Sequence, residues 1–171
     1  MSTRRRAAPS APSLRIRDFL ALVDDGVRER LGRGYAALSM RQRFGYVQYD
    51  DGDPSIHYEV WAQRKTGRVE VGLHFEGADR ERNYAIAAML AERAADVVAA
   101  VGPEYELEEW TAQWTRLHHS VAAPALTPEL ADEVAGRVVE LMRGMRPLLE
   151  EVLAGATTGP ARSRTRRRQK R

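Results

Sequence analysis

The chain has 171 residues, of which 43% are hydrophobic and 30% charged, and it contains no cysteine. A chain of this size is expected to form one domain with one core, hiding on the order of two-thirds of its unfolded surface. Without cysteine there is neither a disulfide framework nor a thiolate metal site, so a reducing, cytoplasmic setting is expected. No apolar run approaches the ~18 residues that cross a bilayer, and no hydrophobic segment follows the arginines of MSTRRRAAPSAPS as in a secretion signal, so no membrane association is expected.

The net charge of +3 conceals a split. Arg4, Arg5, Arg6 and the seven basic residues of RSRTRRRQKR, 162–171, leave 17 basic against 24 acidic residues between them, a net charge of −7. Ends rich in Arg, Pro, Ser, Gly and Ala bury too little apolar surface to order themselves. Residues 1–12 and 157–171 are therefore expected to be disordered basic tails on a single domain at 13–156. In the second tail Arg162, Arg164, Arg166, Arg167, Arg168, Lys170 and Arg171 are candidates for holding nucleic acid by counterion release. Arginine outnumbers lysine 25 to 2 along the whole chain, and a coding bias accounts for the tails equally well.

The first element is a helix in PSLRIRDFLALVDDGVRERLG. Ile16, Phe19, Leu20, Val23, Val27 and Leu31 share one face, with Ser13 as a possible N-cap and Gly32 as the stop. ALSMRQRFGYVQYDDGDP has no 3.6-residue period and gains aromatic and β-branched residues toward an Asp/Gly/Pro turn; it predicts a first strand at about 38–49. IHYEVWAQRKTGRVEVGLHFEG then reads as a hairpin. Ile56, Tyr58, Val60 and Ala62 alternate with His57, Glu59, Trp61 and Gln63, and Val69, Val71, Leu73 and Phe75 alternate with Glu70, Gly72, His74 and Glu76.

For both apolar faces to lie on one side, opposed residue numbers must sum to an odd value, which a two- or four-residue turn around Lys65, Thr66 and Gly67 satisfies. One such register puts His57 opposite His74 and Trp61 opposite Glu70; another puts Glu59 opposite His74. Either leaves a His/Glu/Trp patch on the side away from the core.

GADRERNYAIAAMLAERAADVVAAVGP predicts a middle helix with Asp79 as N-cap, a stripe of Ile86, Leu90, Val97 and Val101, and an end at Gly102 and Pro103. EYELEEW and TRLHHSVAA predict two short strands around Thr111, Ala112 and Gln113. A last helix opens with Thr127 as N-cap and Pro128 at its first position, carries Leu130, Val134, Val138, Leu141, Met145, Leu148 and Val152, and is expected to kink or break near Met145 because Pro147 removes a backbone bond. The order is α-β-β-β-α-β-β-α: an α+β fold with a five-stranded antiparallel sheet and its helices on one face.

This order, with RNYAIAAMLAER in the middle helix and LTPELADEVAGRVVELMRGMRPLLEEVLAG at the end, resembles the type III secretion chaperone fold shared with the YbjN-type sensory-transduction regulators, over roughly 14–154. VEVGLHFEGADRERN also resembles a domain found beside restriction-endonuclease-like domains. The chaperone resemblance implies a homodimer that binds extended segments of a client protein without chemistry. Strand addition to an open edge, or docking on an exposed aromatic surface, would supply the contacts. The candidate partner surface is Tyr46, Tyr49, His57, Glu59, Trp61, Glu70 and His74. An acidic body suits a basic client. The competing expectation for Trp61 is that the last helix or a tail covers it.

Enzyme chemistry finds less support in the residues. His57, His74, His118 and His119 with Glu59 or Glu76 offer metal-ligand types, but His118 and His119 are adjacent in a strand and point to opposite faces, so at most one joins the patch. Asp50, Asp51 and Asp53 precede Glu59, but no lysine stands two residues after it as a restriction-type nuclease requires; Lys65 is too distant, and the aspartates suit a turn. No Gly-x-Ser-x-Gly elbow, phosphate loop or dinucleotide turn is present. The residues therefore point to a non-enzymatic protein- or peptide-binding module with no cofactor and no metal. A nucleic-acid accessory protein acting through its tails, and a metal-dependent enzyme using the His/Glu patch, are the alternatives.

Overall fold

The computed structural model describes residues 13–158, so the tail residues Arg162 to Arg171 lie outside the described residues. Its elements are α1 Ile16–Leu31, a 3-10 turn at Gly32–Ala37, β1 Ser39–Gln42, β2 Tyr46–Asp50, β3 Ile56–Gln63, β4 Arg68–Phe75, α2 Arg80–Glu92, α3 Ala94–Val101, β5 Glu106–Glu109, β6 Thr115–Ala122 and α4 Pro128–Thr158. The sheet has six strands in the order β1-β2-β3-β4-β6-β5, every neighbouring pair antiparallel.

The α+β class and the antiparallel sheet stand, the sheet has six strands and not the expected five, and three finer expectations are corrected. The strand expected at 38–49 is a hairpin of β1 and β2, because the chain turns at Arg43–Gly45, where the Arg43 N–H bonds the Tyr46 carbonyl at 2.9 Å. The middle helix is two helices. They part at Arg93, which leaves helical geometry at φ −108°, ψ 29°, while its guanidinium pairs with Asp96 and with Glu151 of α4. The last helix runs unbroken through Pro147 to Thr158, past the expected domain boundary at 156. Pro147 is exposed, so its ring meets solvent there.

Capping follows the local residues. The Asp79 carboxylate accepts the Arg82 N–H and Thr127 Oγ1 accepts the Leu130 N–H, closing the first turns of α2 and α4. Ser13 is not a cap: α1 starts after Arg15, and Ser13 Oγ accepts the Leu126 N–H at 3.0 Å, tying the segment before α1 to the segment before α4.

α1 and α4 pack on each other and on the sheet, burying Phe19, Leu20, Val23 and Val27 against Val134, Val138, Leu141, Met145 and the inward faces of β2, β3, β4 and β6. Each such side chain contributes roughly 1.5–3 kcal/mol by leaving water. Gly144 lets α3 approach α4, since a Cβ there would stand 2.5 Å from the Ala100 carbonyl oxygen.

Tyr49 belongs to this core and not to the partner surface. It pairs with Tyr58, is fully buried, and donates its hydroxyl to Asp24 Oδ1 of α1 at 3.1 Å. The reason is parity: Tyr46 and Tyr49 are three residues apart in one strand, so they occupy opposite faces.

Candidate functional site

The hairpin β3–β4 takes the register in which His57 opposes His74 and Trp61 opposes Glu70, across a four-residue turn at 64–67. Glu59 therefore faces Gly72. With Tyr46 and Gln48 of β2, Arg116 and His118 of β6, and Glu106 and Glu108 of β5, these residues make up the sheet face that carries no helix. Parity alone assigns the face.

That face is not an open polar surface. His57, Glu59, Glu70 and His74 are 2%, 6%, 1% and 0% exposed. As residues for direct contact with a partner these four are corrected: they form a bed beneath larger side chains. The cover is aromatic. Trp110 and Trp114 flank the β5–β6 turn, where the Trp110 N–H bonds the Trp114 carbonyl at 3.1 Å, and their rings lie 5.9 Å apart. Thr111 shapes that turn by accepting the N–H groups of Gln113 and Trp114 at 3.1 and 3.0 Å. Trp110 packs on the His74 ring at 5.4 Å, on Trp61 at 6.2 Å and under the Arg116 guanidinium at 4.8 Å. All three tryptophans of the chain thus meet on one face, each half-exposed, beside half-exposed Tyr46 and near Phe44, which is 96% exposed at the β1–β2 turn. Trp61 lies opposite the helical layer, so α4 does not cover it.

The bed is held by charge-assisted bonds. Arg116 Nη1 reaches both oxygens of Glu70 at 2.8 Å, and its Nε and Nη2 reach Glu108 Oε1 at 2.8 and 2.5 Å. Gln63 donates to Glu70 Oε2 at 3.0 Å. His74 lies between carboxylates, with Nδ1 2.9 Å from Glu76 Oε1 and Nε2 3.2 Å from Glu70 Oε1. Burial alone would lower the His74 pKa, but the bonds to Glu70 and Glu76 and the charge of Glu59 outweigh it and raise it to about 9, so the ring is an imidazolium at neutral pH. Glu59 is the converse: burial opposes its charge, yet His57, His74 and Gln48 hold its pKa below the usual value.

His57 is oriented from both sides. Its Nδ1 lies 3.0 Å from the Pro54 carbonyl oxygen and its Nε2 2.9 Å from the Gln48 amide nitrogen, so both ring nitrogens are held. The same amide donates to Glu59 Oε2 at 2.7 Å. The two imidazoles stack at 5.5 Å. Gly72 makes the arrangement possible: a Cβ there would stand 2.8 Å from His74 Nε2 and 3.1 Å from His118 Cβ. The His74 ring occupies the space a side chain at 72 would fill.

His118 shares the face; its pKa is lowered first by burial and then by the charge of Arg116. His119 does not, its Nδ1 bonding the Glu104 carbonyl instead at 3.1 Å. The aspartates of the β2–β3 turn bond their own backbone, Asp50 accepting from Gly52 N–H and Asp53 from Ser55 N–H, both at 3.0 Å.

Gln48, Trp110, Trp114, Arg116, Glu108 and the space at Gly72 are the parts that sequence reasoning did not assign to the site. Extending the alternation rule from the β3–β4 hairpin to β6 would have placed Arg116 and His118 beside His74. Among the described residues no helix is long and apolar enough to cross a membrane. No protein-family model matches the chain, and no curated protein shows significant similarity to it.

Proposed function

We propose that the chain is a non-enzymatic binding module whose ligand is an extended, basic segment of a partner protein, taken up along the β5 edge and across the adjoining tryptophans. The supporting observation is the meeting of Trp61, Trp110 and Trp114 on a face whose buried bed is acidic. Among the described residues Arg116 pairs with Glu70 and Glu108, and the His74 imidazolium with Glu70 and Glu76, beside Glu59. Tryptophan faces attract guanidinium and ammonium groups, and underlying negative charge adds to that attraction.

Among the described residues β5 ends the sheet, with no strand on the other side of its backbone, and it carries Glu106, Glu108 and Glu109. An arriving strand bonds that backbone while alternate side chains reach the glutamates and Trp110 and Trp114. Chemistry on a substrate would need an accessible reactive group, and His57, His74 and Glu70 of this face are buried and already bonded.

Because every tryptophan of the chain lies on this face, intrinsic fluorescence reads it directly. Titration with a synthetic peptide of alternating arginine and valine is expected to give a saturable change, absent with the glutamate/valine counterpart. Trp61→Ala and Trp114→Ala are each expected to weaken binding about tenfold or more, as loss of an aromatic anchor does, while folding, read by circular dichroism, is retained. Equal binding of the acidic peptide, or none of the basic one, would overturn this function.

A further inference from the structure

The geometry points to a structural zinc(II) site beneath the tryptophans, with His57 Nε2, His74 Nδ1, Glu76 and Glu59 as ligands. His57, His74 and Glu76 offer ligand atoms that all lie within 4.8 Å of one another. Individual separations are 2.9 Å for His74 Nδ1–Glu76 Oε1, 4.0 Å for His57 Nε2–Glu76 Oε2 and 3.7 Å for His57 Nε2–Glu59 Oε2. Zinc bonds of about 2.0–2.2 Å in a tetrahedron place donors roughly 3.3 Å apart, inside the spread of His57, His74 and Glu76, while Glu59, outside that group but 3.7 Å from His57 Nε2, swings in to complete the shell.

The outer groups are what separate this cluster from a chance meeting of polar side chains. A ligating imidazole needs its second nitrogen held by a carbonyl or carboxylate, which fixes both tautomer and ring direction. Both histidines have such a holder on the side away from Glu76. His57 Nδ1 is on the Pro54 carbonyl, and His74 Nε2 is on Glu70, itself clamped by Arg116 and Gln63. Gly72 leaves the room in which the His74 ring lies.

On zinc uptake the metal takes the place of the Gln48 amide between His57 and Glu59, and of the proton between His74 and Glu76. Two carboxylates balance the charge of the ion. Imidazole and carboxylate without thiolate suit zinc and exclude the hard cations that prefer all-oxygen shells. With four protein ligands and buried histidines, the site has no open position and is structural. It would join β3, β4 and the residue after β4 directly under Trp110.

The test uses the full chain without a histidine tag, stripped by chelator and then titrated with Zn(II) by calorimetry and with Co(II) by visible absorption. One equivalent of each is expected, with the intense bands of tetrahedral Co(II). Those bands should be lost in His57→Ala and in Glu76→Gln, should be retained in His118→Ala, and in Glu70→Gln the affinity should fall about 10–100-fold, as loss of a ligand-orienting partner does. Failure of the wild-type chain to take up either ion, octahedral Co(II) bands, or unchanged bands in a folded His57→Ala variant would each overturn the site. The wild-type spectrum decides the matter even if a variant does not fold.

Discussion

Gly72→Ala tests whether the buried bed is held by the specific position of one ring. The backbone at 72 is not among the positive-φ positions, so alanine can adopt it, and relief of glycine's extra flexibility alone would stabilise the strand by roughly 0.5–1 kcal/mol. The new Cβ, however, would meet His74 Nε2 at 2.8 Å, His74 Cδ2 at 3.0 Å and His118 Cβ at 3.1 Å. Either the imidazole swings away and gives up its bond to Glu70, about 1.5–3 kcal/mol for a charged pair, or the crowding is absorbed at about 1–3 kcal/mol. After the backbone gain, a net loss of about 1–2 kcal/mol is expected. Urea denaturation of the chelator-treated chain at pH 6 measures it as a lower midpoint at unchanged slope. Nitrogen NMR of the His74 ring shows whether the Glu70 bond is lost. A variant as stable as the parent, or more so, with the His74 ring signals unmoved, refutes the close approach.

Three further outcomes follow from the same geometry. Glu70→Gln leaves Arg116 and the His74 imidazolium buried without their shared carboxylate and should cost about 3–5 kcal/mol in denaturant midpoint analysis; a loss under 1 kcal/mol would mean that water reaches the pair. In the metal-free chain the stability contributed by His74, whose pKa rises from 6.5 to about 9 on folding, is complete below pH 6.5 and lost as pH climbs through 9. The midpoint should fall across that window and flatten in His74→Gln; a midpoint that rises there contradicts an imidazolium. Deleting residues 159–171, which include seven basic side chains, should abolish any salt-dependent binding of the chain to duplex DNA while arginine-peptide binding persists; retention of DNA binding would move that affinity to the body.

Much of the fold was legible because it depends on local periodicity. Phe19, Leu20, Val23 and Val27 announce a buried helical face, and the alternation from Ile56 to Phe75 fixes which side of the hairpin is apolar, as the observed register confirms. The errors occurred where a tertiary contact outweighed the local pattern. Arg93 looks like a mid-helix residue, but its pairing with Glu151 of α4 accompanies a break. Pro147 looks like a breaker, but its ring falls on the exposed side of a helix packed on α1 and the sheet.

The candidate site divides in the same way. Alternation identifies His57, Glu59, Trp61, Glu70 and His74 as one row, because strand parity is a property of the backbone. Whether that row is wet or dry depends on residues about 40 positions later, Trp110, Trp114 and Arg116, which reach it only because β6 inserts between β4 and β5. Nothing local to the hairpin encodes that cover. Periodicity and charge placement along the chain thus determined the α+β class, the inward and outward faces, and the acidic character of the body. Strand order alone decided that His57, Glu59, Glu70 and His74 of the outward face are buried and paired beneath tryptophan, since burial depends on what the rest of the chain places above a residue.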